Sequence, residues 1–389
     1  MVYWVWLGRS LTSVAGLSAL LTLMASAATA AVELRVGVLE GVRQVTIASS
    51  TAAQLRDEAG RAMAVSPQQP VAVVLMGTGL QAAGLQGRQL LLEPQDNGLV
   101  RLGDRWYRGR LQVVSTSRGL VAINLVDLED YLPSVVGKEM YPSWPLEALK
   151  AQAVASRSFV LFRRDRERRR PGSLYDVGAT VTHQVYPGVS SETASTLAAV
   201  AATRNQVLTY GGQIIEAVFH ASSGGYTENS EYVWQNSVPY LRATPDFDQV
   251  SPNFQWTVRL TAAQLRQRIP GIGTIVGFRP VQMSPQGRII SMQVVGTAGT
   301  RTMSGNELRR ALGLRSTLLT VAPEYGNVAS QEGQSVPVAF TITGRGHGHG
   351  LGMSQWGAYG MALQGYTYDQ ILGHYYRGVT LSEISPSLR

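Results

Sequence analysis

Residues 132–159 read Leu132-Pro-Ser-Val-Val-Gly-Lys-Glu-Met-Tyr-Pro-Ser-Trp-Pro-Leu-Glu-Ala-Leu-Lys-Ala-Gln-Ala-Val-Ala-Ser-Arg-Ser-Phe159, and the parsing of this stretch decides the fold. A carboxylate, Glu139, stands ahead of Pro142 and Pro145, and a run free of glycine and proline occupies 146–162. Proline near a first turn is pre-organised for a helix, Glu147 complements the positive helix N-terminus, and strong helix formers fill the rest. The spacing predicts a mostly buried helix with a polar stripe of Glu147, Lys150 and Arg157, while the charge run over 163–170 is its solvated end. The chain carries 34 basic residues, yet its only lysines are Lys138 and Lys150, both here. Lysine gives a compact, movable charge where arginine gives a planar fork. Two helix-surface lysines falling together by chance would give the same pattern.

Upstream, short alternating runs at 33–38, 71–75, 89–92 and 108–114 are separated by glycine and Asp/Asn-rich breaks, which predicts strands and turns. Leu120-Val-Ala-Ile-Asn-Leu-Val126 reads as a buried strand, with an acidic turn after it at 127–130. Downstream, a second helix is expected at 191–202, and Gly211-Gly212 between apolar runs is a hairpin signal. His220-Ala-Ser-Ser-Gly-Gly-Tyr-Thr227 reads as a polar loop. A small α/β unit, with helices at 262–268 and 305–312 and a strand at 289–295, interrupts the chain before a strand at 338–343. That strand leads into Gly344-Arg-Gly-His-Gly-His-Gly350, and helices at 359–363 and 368–376 close the chain.

These patterns predict an α+β, multi-unit fold: a leader at 1–30, a β-rich unit at 31–118, a helix-bearing core at 119–250 and 336–389, and an inserted α/β unit at 251–335. A length of 389 residues with 44% hydrophobic and 15% charged residues is that of a globular protein of two or three units. The absence of cysteine excludes disulfides, thiolate metal sites and a cysteine nucleophile. The net charge of +8 suits an anionic polymer, either nucleic acid or a cell-envelope component. Arg9, an apolar run over 11–24 and Ala28-Thr-Ala30 have the order of a secretory signal, preferred to an uncleaved anchor because the small residues sit where a signal peptidase reads them. Export to the periplasm or envelope removes nucleic acid as a partner and leaves membrane contact only to an uncleaved N-terminal segment.

Three chemistries compete for the polar residues. Histidines occur at 183, 220, 347, 349 and 374, and His347-Gly-His349 could contribute to a zinc site, although a glycine-threaded loop does not fix two imidazoles as one helix face would. Ser222, Ser223 and Ser354 are serine nucleophile candidates, but none lies in a G-x-S-x-G elbow. Glycan cleavage by a single carboxylate is the third, since a sugar with its own N-acetyl group or 6-hydroxyl can replace the usual second acid. Glu139, between Val136-Gly-Lys138 and Met140-Tyr-Pro142, has an apolar setting that would raise its pKa for that task. A helix-terminal surface glutamate is the plainer reading of the same residue.

Glu129-Asp-Tyr-Leu132, Val136-Gly-Lys-Glu-Met140, Glu147-Ala-Leu-Lys-Ala-Gln-Ala-Val154, Gln184-Val-Tyr186, Ser222-Ser-Gly-Gly225 with Thr227, and Gly344-Arg-Gly-His-Gly-His-Gly350 through Gly352-Met-Ser-Gln-Trp-Gly-Ala358 together resemble the SpoIID/LytB family of bacterial cell-wall proteins. The resemblance implies a lytic transglycosylase that ends peptidoglycan glycan strands, preferably peptide-stripped ones, as 1,6-anhydro sugars. It places the catalytic acid at Glu139. It leads us to expect a substrate groove along Lys150, Gln152, Tyr186, Ser222, Ser223, Gly224, Thr227, His347, His349, Ser354 and Gln355. Lys150, which points from the helix stripe, is preferred to Lys138 for holding substrate or tuning Glu139. Some members bind zinc through Cys and His near the Gln-x-Tyr motif; here only His183 is kept, so neither metal nor other cofactor is expected. The amidase-enhancer half of the family implies an alternative, a glycan-binding enhancer without turnover, and a cell-wall amidase as a partner.

Overall fold

The structure, a computed structural model, describes Met1 and residues 32–179, 184–326 and 336–384. Apart from Met1, the leader at 1–30 lies outside the described residues, as does His183. The fold is α+β, as the sequence pattern predicts, with eight α-helices and strands in six sheets among the described residues.

Two sheets make the N-terminal half. A seven-stranded sheet runs in the order Val177–Gly178, Glu33–Val42, Gly119–Asp127, Arg110–Thr116, Gln89–Pro94, Ala53–Asp57 and Ala62–Val65. A six-stranded sheet is built around Gln44–Ser49 and Val71–Met76. The strand Gly119–Asp127 is buried on both faces through Asn124, which is why it reads as a continuous apolar run. It pairs antiparallel with both Arg110–Thr116 and Glu33–Val42, so the hairpin around position 118 ties the β-rich half to the helical segment beyond Asp127.

The acidic segment after that strand is a helix start. Asp127 is the N-cap of α1 (Leu128–Glu139), its carboxylate accepting from the Glu129 backbone N–H at 2.8 Å, and Glu129 and Asp130 occupy the first turn, where negative charge is favoured. Pro133 and Gly137 break the usual helix pattern, so this element is not expected from the sequence. Burial holds it: Leu128, Tyr131, Leu132, Val135 and Val136 are all within the core. Each such side chain contributes about 1.5–3 kcal/mol of transfer free energy. Gly137 is required by close approach, because a Cβ there would lie 2.0 Å from the Ser191 carbonyl oxygen.

After a short turn, α2 (Leu146–Arg168) matches the predicted helix and continues through the basic run. Its stripe is partly internal. Arg157 is fully buried and pairs through Nε and Nη2 with both Glu129 oxygens at 2.9 and 2.8 Å, joining α1 to α2. Helix α3 (Ala194–Ala202) packs on both. Short helix α4 (Glu231–Trp234) precedes a second hydrophobic core, centred on Leu265, Val294, Leu308, Phe340 and Ile342. That core is covered by α5 (Ala262–Arg268) and α6 (Gly305–Leu312), each opened by a capping box. The strand Pro337–Arg345 lies between Gln255–Thr261 and Leu319–Tyr325, so it belongs to this second core and delivers the glycine-rich loop out of it. Helices α7 (Gln355–Leu363) and α8 (Tyr368–Tyr375) return to the first core against α2.

Candidate active site

Glu139 is the last residue of α1, at the point where a helix buried along most of its length reaches the surface. Three neighbours hold its carboxylate. Gln355, the first residue of α7, donates its amide to Oε2 at 3.3 Å, the Val185 backbone N–H hydrogen-bonds it, and the Lys138 charge acts on it. Burial outweighs all three, and the Glu139 pKa is raised above the ordinary 4.5. A carboxylate at a helix C-terminus also faces the negative end of the dipole, which pushes the same way. The same Gln355 amide lies 3.4 Å from Gln152 Oε1, and Gln152, fully buried, donates to Ser156 Oγ at 2.9 Å. A chain of neutral polar groups thus runs from the middle of α2 to the acid.

Beneath Glu139 lies a buried tyrosine layer. Tyr131 donates to Gln184 Oε1 at 3.0 Å, and its ring lies 4.7 Å from that of Tyr186. Tyr186 donates to Asn124 Oδ1 at 2.9 Å. Both hydroxyls are pushed far above the ordinary tyrosine value by burial, so they remain neutral donors. Tyr186 is therefore part of the support for the acid and is 2% exposed.

The two glycine loops interlock. Ser222 and His347 exchange backbone hydrogen bonds of 3.1 and 2.7 Å, and Phe219–His220 pairs in parallel with Met353–Ser354. A Cβ at Gly224 would lie 2.7 Å from the Arg345 Cβ, and one at Gly346 2.6 Å from the Ser223 carbonyl carbon, so glycine at both lets the backbones touch. Ser222 and Ser223 donate to two buried carboxylates, Asp248 and Asp246, and Asp248 also accepts from the Gly224 and Gly225 backbone at 2.8 and 3.0 Å. Asp246 further accepts from Tyr375 and from the Phe247 backbone, and Ser354 hydrogen-bonds it as well. Burial first, then the Asp248 charge, raises Asp246 above the ordinary aspartate value. Ser354 also caps α7, accepting from Gly357 at 3.1 Å, which sets the position of Gln355 beside Glu139. Neither acid is among the residues expected from the sequence, although Asp246-Phe-Asp248 in a loop is a signal that could have been read.

The described histidines do not form one metal site. His349 accepts at Nδ1 from Leu351 and donates from Nε2 to the Phe219 carbonyl, both at 3.0 Å, which uses both nitrogens and fixes one neutral tautomer. Burial lowers its pKa to about 4. His220 is buried against it, with ring centroids 5.3 Å apart, while His347 is exposed. No group of three or more His, Asp and Glu side chains arranged to hold a metal ion occurs among the described residues. Thr227 closes its own loop, bonding the Thr244 backbone.

The profile described as Stage II sporulation protein matches residues 116–210, the segment carrying α1, Glu139 and α2, and a domain of unknown function matches 234–352. A protein named Stage II sporulation protein D from Bacillus subtilis is 35% identical over 284 residues, covering 67% of this chain and 76% of that protein. This chain belongs to the SpoIID family. An uncharacterized protein of Brachyspira hyodysenteriae is 32% identical over 309 residues, 79% of this chain and 80% of its own length. An amidase enhancer from Bacillus subtilis is 30% identical over 310 residues, 64% of this chain and 40% of that protein.

Within this SpoIID-family chain, Glu139, Gln152 and Gln355 converge, with Tyr186 beneath them. The lysines fall the other way from the sequence expectation. Lys138 is the cation acting on Glu139, whereas Lys150 is held by Glu147 at 2.7 Å and lies over the Tyr368 ring at 5.6 Å. Ser222, Ser223, Thr227, His349 and Ser354 spend their hydrogen bonds inside the protein, holding the two loops together and the start of α7 in place. Periodicity could not show this, because the contacts lie within irregular loops, as from Ser222 to Asp248, or join distant segments, as from Phe219 to His349.

Proposed function

We propose that the protein is an exported peptidoglycan lytic transglycosylase in which Glu139 acts alone as acid and then base. The observation that carries the reading is the setting of Glu139: half-buried at the end of α1, with its pKa raised, and held by a neutral amide and a backbone N–H. In the first step Glu139 gives its proton to the glycosidic oxygen as the bond from that oxygen to C1 breaks. The resulting carboxylate is met by the Gln355 amide and the Val185 N–H, both donors that favour the charged form. In the second step the 6-hydroxyl oxygen of the same sugar bonds to C1 and returns its proton to Glu139. No water is consumed, and the products are a free 4-hydroxyl and a 1,6-anhydro end. The relatives named for sporulation and for amidase enhancement support a cell-wall substrate and an envelope location, with a cell-wall amidase supplying peptide-stripped strands. No helix among the described residues is long and apolar enough to cross a membrane.

The 30% identity to an amidase enhancer favours one second reading, a glycan-binding adaptor without turnover. The deciding assay is release of anhydro-sugar products from amidase-treated sacculi by the wild type and by Glu139→Gln. The transglycosylase reading expects release by the wild type and a fall of at least about 100-fold in the variant, the scale of a lost general acid. Equal release by both removes Glu139 from catalysis. Binding to sacculi by both, with release by neither, establishes the adaptor.

A further inference from the structure

Four aromatic side chains form one surface beside Glu139. Tyr141 and Trp144 come from the turn just after the acid, and Trp356 and Tyr359 from the first turns of α7, next to Gln355. The rings are contiguous: Tyr141 and Trp144 are 5.5 Å apart, Trp144 and Trp356 4.7 Å, Trp144 and Tyr359 4.8 Å, Trp356 and Tyr359 5.5 Å, and Tyr141 and Trp356 6.3 Å. Trp144 alone of the four packs on the hydrophobic core, and Tyr141 is 61% exposed. Core packing therefore accounts for the base of the cluster and leaves Tyr141 exposed, with Trp356 and Tyr359 only partly buried beside it.

Their chemistry suits one class of ligand. An aromatic face carries negative quadrupole charge and attracts polarised hydrogens laid against it. A pyranose offers such a layer, with C–H bonds on one face and hydroxyl and N-acetyl groups around the rim. Trp356 adjoins Gln355, which touches Glu139, and Tyr141 is two residues after Glu139, so a sugar stacked here lies next to the bond at the acid. We infer that Tyr141, Trp144 and Trp356 form a saccharide subsite that stacks the N-acetylated sugar flanking the cleaved bond. The inference rests on the glycan-cleaving reading of Glu139 but concerns binding, so it can be tested apart from turnover.

Calorimetric titration of the full chain with peptide-free glycan strands gives that test, with the Glu139→Gln variant as parent so that no strand is cut. Trp356→Ala and Tyr141→Ala, each with a melting curve matching the parent, are expected to weaken binding at least about tenfold. Trp356→Phe should recover most of it and Trp356→Leu should not, because a planar face rather than apolar volume is required. In the active background Trp356→Ala should raise KM more than it lowers kcat. Parental affinity in both alanine variants would overturn the subsite, as would equal recovery by leucine. Loss of binding to a cell-wall amidase with glycan binding intact would also overturn it and make the surface a protein contact. If Glu139→Gln still cleaves while glycan binding depends on the aromatic faces, the catalytic reading fails and the subsite stands.

Discussion

Glu139 is subject to opposing pulls, and their balance sets its measurable behaviour. Burial favours the neutral acid, while Gln355, the Val185 N–H and Lys138 favour the carboxylate; burial wins. A group whose folded pKa is raised contributes its full stability below its ordinary pKa, and that contribution is lost as the pH rises through the raised value. Glu139→Gln, which needs no ionisation, should therefore melt at a higher temperature than the wild type at about pH 7, and the gain should shrink as the pH falls towards 4.5. Melting curves over that range check the sign; a variant less stable at neutral pH would contradict it. The same balance separates the lysines. Removing Lys138 takes away a charge that lowers the acid's pKa, so Lys138→Met should move the alkaline limb of the cleavage profile upward, by the small amount that an exposed charge exerts. Lys150→Met, which breaks a pair with Glu147, should leave that limb in place. A shift with Lys150→Met and none with Lys138→Met would make Lys150 the lysine that acts on the acid.

At the scale of elements, α1 and α2 act as one device, and they are not equally legible. Helix α2 announces itself through unbroken helix formers after Pro145, and the chain keeps to the pattern as far as Arg168. Helix α1 hides because Pro133 and Gly137 lower its intrinsic propensity, and its stability comes from burial and from a partner 28 residues away. That partner interaction is the Glu129–Arg157 pair, with the arginine side chain fully buried and the glutamate 11% exposed. Breaking a buried pair from one side leaves a charge uncompensated, so Glu129→Gln should cost about 3–5 kcal/mol in denaturant unfolding. Gly137 carries the other constraint. Gly137→Ala forces a Cβ against the Ser191 carbonyl and should cost about 1–3 kcal/mol, with cleavage falling more than stability because the displaced turn also carries Glu139. Of the site, Glu139 stands out in the sequence as a carboxylate in an apolar setting ahead of Pro142, although the helix that carries it does not. The partner at Gln355 is reached only by resemblance, since nothing in local pattern joins positions 139 and 355.

At the scale of the whole molecule, two hydrophobic cores meet at the glycine loops, and one buried charge spans the contact. We propose that the 251–335 segment is an inserted unit on the strength of its separate core, although the strand Pro337–Arg345 is shared with it. Arg288 stands at the tip of a hairpin from that core, between Ile275–Met283 and Ile289–Gly296. It reaches the first core by donating to the Ser223 carbonyl at 2.6 Å, and a Cβ on Gly350 would lie 2.6 Å from its guanidinium carbon. It is 2% exposed, burial lowers its pKa to about 10, and its Nε and Nη1 have no hydrogen-bond partner among the described residues. The charge of Glu228, Asp248 and Asp246 offsets that burial, against a smaller opposing effect from Arg345. Glu228 and Asp246 are themselves raised by burial, and Arg288 pulls Glu228 down. Arg288→Met keeps the volume and removes the cation, so these carboxyls should rise further. Raised carboxyls cost most when the pH forces them to ionise, so the loss of stability should be larger at about pH 8 than at about pH 5. A fall of about 5–10 °C in melting temperature is expected at the higher pH, narrowing as the solution is acidified. A loss independent of pH would instead assign Arg288 to packing alone, and loss of the Gly350 contact would then be the cause to pursue.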